Sequence, residues 1–447
     1  MEMIGYPASA LGLVLLFMLS KLILLLYQPQ NKLNLPPSPP AWPLIGHLHL
    51  LGTLVHQSLA QIACNYGPLV FLRLGTVPTV VVSNEALARE FLKTYDQIFD
   101  HVQGCWPQIY FFTIKRTWHG HNTDHTGEKS ERSVWNYFAS NSKEALEFKE
   151  IGTEYSHLLG VINFGDFIPY VGLLDIRGYK RRLMAARKRM DSIIDKIIQE
   201  HQEKTTGVST DASIDFVDVL LSLKNNKDYQ HLSMDSIKAL VIDMLAAGTE
   251  SSAVTIEWAL SEILLNPWVQ EKAQQELDHV VGRERKVEEA DLPQLKYLQS
   301  IVKETFRLHP PGPVLVPHES TQAVQVTGYD IPANTRLLVN VWAIGRDPSN
   351  WERALEFSPE RFLNSNIDVR GYDFELIPFG SGRRACPGLA LGLASVQLGL
   401  AVLLQSFEWS LPSSHEKLDM SEVFGLTLPK AVPLHAIATP RLPHHLY

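Results

Sequence analysis

Cysteine is scarce in this chain. There are 3 in 447 residues, at Cys64, Cys105 and Cys386. No two of them form a CxxC pair, and three in so long a chain build no disulfide framework, which suits a reducing compartment. Excess positive charge is missing too. Lys and Arg number 40 against 48 Asp and Glu, for a formal net charge of −8. That balance argues against a nucleic-acid surface. No internal repeat is visible, and no low-complexity linker divides residues 150–447. With 45% hydrophobic residues, the chain has ample material for a large core.

One apolar run reaches spanning length, Ala8 to Tyr27, broken only by Lys21 near its end. It carries no small-residue cleavage site, so residues 1–30 read as an uncleaved membrane anchor rather than a cleaved secretory signal. Lys21 and Lys32 lie on its C-terminal side and Glu2 on the other, which puts the bulk of the chain in the cytosol. Residues 31–46 read as a Pro-rich hinge. Pro36, Pro37, Pro39, Pro40 and Pro43 exclude a helix or an inner strand and make a stiff, extended spacer.

Residues 47–447 follow as one domain of mainly helical pattern. The runs Pro68–Leu74 and Thr79–Val82, joined through Gly75 and Pro78, predict a β-hairpin, and Glu85 to Thr94 a helix. The stretch 100–136 is polar and aperiodic. His119, His121, Asp124 and His125 could bind a metal, but no CxxC pair precedes them, and a solvated loop is the better reading. Gly178 to Glu203 predicts a long basic helix with an apolar face of Leu183, Met190, Ile193, Ile194, Ile197 and Ile198. Its charges read as a solvated face, with anionic lipid as the alternative.

Ser233 caps a helix that runs to Asn266, where Pro267 stops it. In its middle, Ala246-Ala247-Gly248-Thr249-Glu250-Ser251-Ser252 places small residues where helix propensity disfavours them. Either another helix crosses there, or a ligand presses on the backbone beside the acid Glu250 and the hydroxyl Ser251. Glu304 and Arg307 lie one helical turn apart and can pair, an arrangement most often exposed to solvent. Strand patterns follow at Gln322–Val326 and Thr335–Val341, then a Pro turn, Pro359-Glu360-Arg361-Phe362.

The richest stretch is Pro378-Phe379-Gly380-Ser381-Gly382-Arg383-Arg384-Ala385-Cys386-Pro387-Gly388, followed by the apolar run Leu389 to Leu404. Arginines and a helix start favour a thiolate at Cys386, and the glycines let a large flat group approach the backbone. Haem with Cys386 as axial ligand fits these features. Two rivals remain on this segment: a GxGxxA dinucleotide loop, whose acid about twenty residues on is Glu408, and a buried free cysteine.

Taken in order, these motifs resemble the cytochrome P450 family, and more narrowly the plant microsomal, flavonoid 3′-hydroxylase-like enzymes. Phe379, Gly382, Arg384, Cys386 and Gly388 match the family's haem loop, and Glu304 and Arg307 its ExxR motif. Arg361 stands in its PERF motif, and Ala247-Gly248-Thr249-Glu250-Ser251 loosely matches its oxygen-activating helix, with Ser251 for the usual threonine. The runs Leu337–Pro348 and Phe424–Leu428 also look like that group. The resemblance covers roughly residues 1–99 and 137–447. The family's WxxxR helix is missing, because neither Trp118 nor Trp135 has an arginine four residues on. The shortfall in length falls within 100–136.

The resemblance implies a cytochrome P450 fold, mainly α with small β-sheets (α+β), behind an N-terminal transmembrane helix in the endoplasmic reticulum membrane. It implies haem b (iron protoporphyrin IX) with Cys386 as the metal ligand. Phe379, Gly382, Arg384 and Gly388 would shape the cofactor site, and Arg384 would hold a propionate with His318. Glu250 and Ser251 would relay protons, while Glu304, Arg307 and Arg361 would form a structural triad. The implied partners are NADPH-cytochrome P450 reductase, through which NADPH acts indirectly, a small-molecule substrate and the membrane, with no nucleic acid. The implied activity is hydroxylation of a small apolar or phenolic plant metabolite. The alternatives are a reductase-independent haem-thiolate isomerase or dehydratase, and a truncated protein that cannot hold haem.

Overall fold

The computed structural model describes residues 33–101, 143–160, 164–168, 175, 178–206, 216–224, 226, 232–412 and 417–447. The anchor expected over 1–30, the three histidines and Asp124, Trp118, Trp135 and Cys105 lie outside the described residues.

From Leu33 to Ala41 the hinge forms neither helix nor regular strand, as its prolines require, and Trp42–Gly46 closes a turn, but the segment is not a free spacer. Phe71 donates its N–H to the Pro37 carbonyl at 2.9 Å, and Asp330 donates to Asn34 at 2.7 Å. A proline has no N–H to give, yet its carbonyl accepts, so this segment covers the exposed edge of a strand.

The first α-helix among the described residues is α1 (Val55–Tyr66). The hairpin follows as β1 (Leu69–Leu74) and β2 (Val77–Val82), antiparallel with Leu69 opposite Val82. Next is α2 (Glu85–Arg89), capped by the Asn84 side chain, which accepts from the Leu87 N–H at 3.0 Å. A wider turn, Glu90–Thr94, extends it. Then come α3 (Lys143–Gly160), α4 (Tyr179–Thr206), α5 (Phe216–Lys224), α6 (Met234–Leu265), α7 (Pro267–Val280) and α8 (Lys296–Leu308). Short strands follow: β3 (His318–Glu319), β4 (Val324–Val326), β5 (Tyr329–Ile331) and β6 (Arg336–Val339). The chain ends with α9 (Val341–Ile344), α10 (Leu389–Ser406), β7 (Phe407–Ser410) and β8 (Ile437–Pro440). The main sheet has the order β1-β2-β6-β3, with β2 parallel to β6 and the other pairs antiparallel.

The expected boundaries hold best on α6. Ser233 caps it, accepting from the Ser236 N–H at 3.1 Å, and Pro267 opens the next helix. With 32 residues it is roughly 48 Å long. Its two ends serve different cores. Ile237 and Ile242 pack with Met190, Ile194 and Ile197 of α4, on the face that the helical spacing predicts. Ala259 and Ile263 pack with α7, α8 and α10. Between them Ala247, Thr249 and Ala253 are exposed. Both α6 and α10 are long and apolar enough to cross a membrane, but Ala259, Ile263, Leu400 and Ala401 sit at 0% exposure in one shared core. At their crossing, a side chain on Gly399 would meet Ile256 Cδ1 at 2.8 Å. The glycine leaves room there for the Ile256 methyl.

One acid is buried at a cost. Burial of Asp243 on α6 raises its pKa to about 7, and its Oδ2 has no hydrogen-bond partner. Its charge, after burial itself, adds to the upward shift of the Tyr155 hydroxyl on α3. An acid whose folded pKa is raised binds more protons folded than unfolded between the two values, so stability falls as pH rises from about 4 to about 7. Asp243→Asn removes that term. We expect it to raise the unfolding free energy at pH 8 by about 1–3 kcal/mol and to do little at pH 4. Urea titrations at the two pH values check this, and equal shifts at both would sink it.

Candidate active site

The Cys386 loop closes on itself. The Cys386 N–H donates to the Phe379 carbonyl at 2.9 Å, and Ala385 donates to Gly382 at 3.2 Å. Gly380 and Gly382 have φ of 72° and 71°, a region L side chains rarely adopt. At Gly382 a Cβ would also lie 2.1 Å from the Leu92 carbonyl oxygen, so glycine is required there twice over. Phe379 meets Phe306 of α8 edge-on, with centroids 5.1 Å apart. Gly388 stands at the N-cap of α10, and its backbone N–H favours the charged form of the Cys386 thiol.

The electrostatics correct one expectation. Neither arginine acts on the thiol. Arg383 pairs with Asp96 at 3.4 Å, and Arg384 Nε donates to the Asp100 carbonyl at 2.6 Å. Desolvation pushes the Cys386 pKa up, opposed only by the Gly388 N–H at the helix start. Cys386 is nonetheless solvent-accessible. The donor set fits a haem iron: one accessible sulfur with a preset N–H partner, in a loop whose glycines keep side chains away. A bound metal cation deprotonates a coordinating thiol outright, so the raised pKa does not oppose ligation.

His318 and Arg384 lie near each other. His318 Nδ1 bonds the Phe99 carbonyl at 2.8 Å, and Arg384 bonds the next carbonyl. Burial lowers the His318 pKa first; the Arg384 charge lowers it further. Two adjacent carbonyls thus hold an imidazole beside a guanidinium, a pair suited to a carboxylate ligand.

Glu304, Arg307 and Arg361 form one network, buried rather than exposed. Arg307 donates twice to Glu304, at 2.8 Å each, and Arg361 donates to the same carboxylate at 2.9 Å. Glu304 also accepts from the Ser358 N–H at 2.7 Å. Arg307 Nη1 reaches the carbonyls of Gly345 and Ala354, both at 2.6 Å, and its side chain is 0% exposed. The network ties α8 to the segment that leads to the Cys386 loop.

Glu250 and Ser251 do not touch each other. The Ser251 hydroxyl donates to the Ala247 carbonyl at 2.6 Å, one turn back. Glu250 Oε1 accepts from the Thr427 hydroxyl at 2.8 Å. Phe424–Leu428 stands out as a run in the sequence, but nothing local pairs Thr427 with an acid 177 residues away. The dinucleotide reading fails. The residues after Gly382 form a short turn, Gly382–Arg384, not a strand-to-helix phosphate loop, and Glu408 stands on β7 in an antiparallel pair.

The comparisons agree with this geometry. The cytochrome P450 family model matches residues 36–122 and 135–435. The match runs further into the 100–136 stretch than expected, and its break falls inside that stretch. Flavonoid 3',5'-hydroxylase of Campanula medium is 38% identical over 495 residues, covering 94% of this chain and 94% of that one. That span exceeds the 447 residues here, so the relative carries residues with no counterpart in this chain. The 3,9-dihydroxypterocarpan 6A-monooxygenase of Glycine max is 38% identical, covering 94% of this chain and 95% of that one. A zebra fish cytochrome P450 structure with progesterone superposes with TM-score 0.70 at 24% identity, over 86% of this chain and 99% of that one. The chain belongs to the cytochrome P450 family of monooxygenases.

Proposed function

We propose that this chain is a haem-thiolate monooxygenase that hydroxylates a small phenolic plant metabolite of the flavonoid class. In this reading Cys386 is the iron ligand, and residues 1–30 anchor the domain to the endoplasmic reticulum membrane. The observation that carries it is the accessible Cys386 thiol at the head of α10, in the glycine-lined loop held by its own backbone bonds. Haem held there supplies oxygen activation, and electrons come from NADPH through its reductase. Arg384 and His318 hold the cofactor's carboxylates. Phe379, Gly382 and Gly388 shape the loop around the sulfur. Ser251 and Glu250 hold and pass protons from α6, and Glu304, Arg307 and Arg361 keep the loop in place. The substrate class rests on relatives named as flavonoid and pterocarpan hydroxylases.

The deciding experiment is the reduced, CO-bound absorption spectrum of the expressed full chain, followed by turnover of a flavonoid panel with and without reductase. We expect a thiolate-type Soret band and hydroxylation that requires NADPH and reductase. Absence of haem would sink the reading. Turnover without reductase would move it to isomerase or dehydratase chemistry.

A further inference from the structure

Residues Ser421–Ala431 form a narrow turn that reaches the site from the C-terminal side. Ala431 donates to the Ser421 carbonyl at 2.8 Å, and Val423 donates to Pro429 at 3.0 Å. Two contacts hold its tip on α6. The Thr427 hydroxyl donates to Glu250 at 2.8 Å, and Trp258 Nε1 donates to the Leu428 carbonyl at 2.8 Å. Its back is pressed on α3 so closely that a side chain on Gly160 would lie 2.0 Å from the Gly425 carbonyl carbon.

The base of the turn is gripped by an acid that the function described above does not use. Glu422 Oε2 accepts from His56 Nε2 at 2.9 Å and from Gln57 Nε2 at 3.0 Å, both on α1. Trp342 Nε1 of α9 approaches its other oxygen at 3.4 Å. Three donors from two helices thus converge on one carboxylate that is 8% exposed, against a fully buried imidazole. Phe424 stacks on the same imidazole, with centroids 5.9 Å apart. Only a charged acceptor satisfies all three donors.

We infer that Glu422 is a positioning residue for Glu250: gripped by His56, Gln57 and Trp342, it sets the turn whose Thr427 hydroxyl holds the α6 carboxylate. The acid that serves the site is thereby placed from α1, through the turn, and not by α6 alone. Its effect on turnover rests on the monooxygenase reading; its effect on the turn does not.

The test uses the full chain carrying Glu422→Ala, the isosteric Glu422→Gln, Thr427→Val and the Glu422→Gln/Thr427→Val pair. Glu422→Gln guards against poor folding of the alanine variant, because it keeps the volume and turns one acceptor into a donor facing donors. Hydrogen exchange of residues 421–431 should quicken by about tenfold in both Glu422 variants, and the Val423 and Ala431 amides should stay protected in Thr427→Val. With reductase and NADPH, and no added substrate, the peroxide released per NADPH should rise in Glu422→Gln and in Thr427→Val. The double variant should add nothing, because both changes break one chain of contacts. Unchanged exchange in the Glu422 variants overturns the inference, and so do additive peroxide effects. If no NADPH is oxidised, the monooxygenase reading has failed, and the exchange result alone decides: opening upholds the inference and protection overturns it.

Discussion

Cys386→Ser is expected to abolish the thiolate-type spectrum and to lower hydroxylation by on the order of a thousandfold, equal to about 4 kcal/mol of lost stabilisation. The physical reason lies in the loop. Cys386 carries the loop's one sulfur, the loop offers no histidine, and among the described residues the other cysteine, Cys64, stands on α1. Serine keeps the backbone bond to Phe379 and the Gly388 N–H contact, so the fold should survive and the change should be confined to the ligand. The full chain is purified, reduced under CO and scanned, with circular dichroism as the control on folding. A variant that keeps the thiolate-type band would remove Cys386 from the ligand role. Loss of the band together with the fold would call for Cys386→Ala as the second variant.

Arg307→Ala should cost more stability than any other single change proposed for this chain, about 3–5 kcal/mol. Native domains have only about 5–15 kcal/mol to lose. Arg307 is wholly buried and donates to Glu304 and to three carbonyls, those of Gly345, Ala354 and Glu356. Removing it takes the donor from the Gly345 and Ala354 carbonyls and two bonds from Glu304, and leaves a cavity beside Trp351, over whose ring the guanidinium sits at 5.4 Å. Arg361 would still hold one oxygen of Glu304, so the acid is not left entirely bare. Arg307→Lys keeps the charge but loses the fork, and should recover less than half the loss. Soluble yield and denaturant midpoint read the effect. A midpoint within error of the parent protein would show that the network contributes nothing net, the outcome known for some exposed pairs.

The same network shows how far sequence reading reaches. The i, i+3 spacing of Glu304 and Arg307 announces a pair, because helical geometry is local. Its burial is invisible at that level, since the carbonyls that bind Arg307 come from residues 38 to 49 positions on. The Cys386 loop was legible for a similar reason. Glycines that must take positive φ and a proline-flanked cysteine before an apolar helix are chemistry within a dozen residues. The arginines that neighbour the thiol in the chain do not act on it, because charge acts through distance in space. Arg383 and Arg384 are neighbours of Cys386 in the chain, but they turn to Asp96 and Asp100.

Short-range order therefore belongs to the amino-acid pattern. The capped start and proline stop of α6, the β1–β2 hairpin, the apolar face of α4, the ExxR pair and the cysteine loop all follow from spacings of a few residues. There, backbone sterics and helical period decide. Tertiary packing decided the rest. It buried the triad, set His318 beside Arg384, laid the proline segment on β1, and brought Thr427 to Glu250 across 177 residues and Glu422 to His56 across 366. Such contacts exist only once separate helices share a core, because loop-closure entropy is offset by burial of whole faces and not by any pair of residues alone.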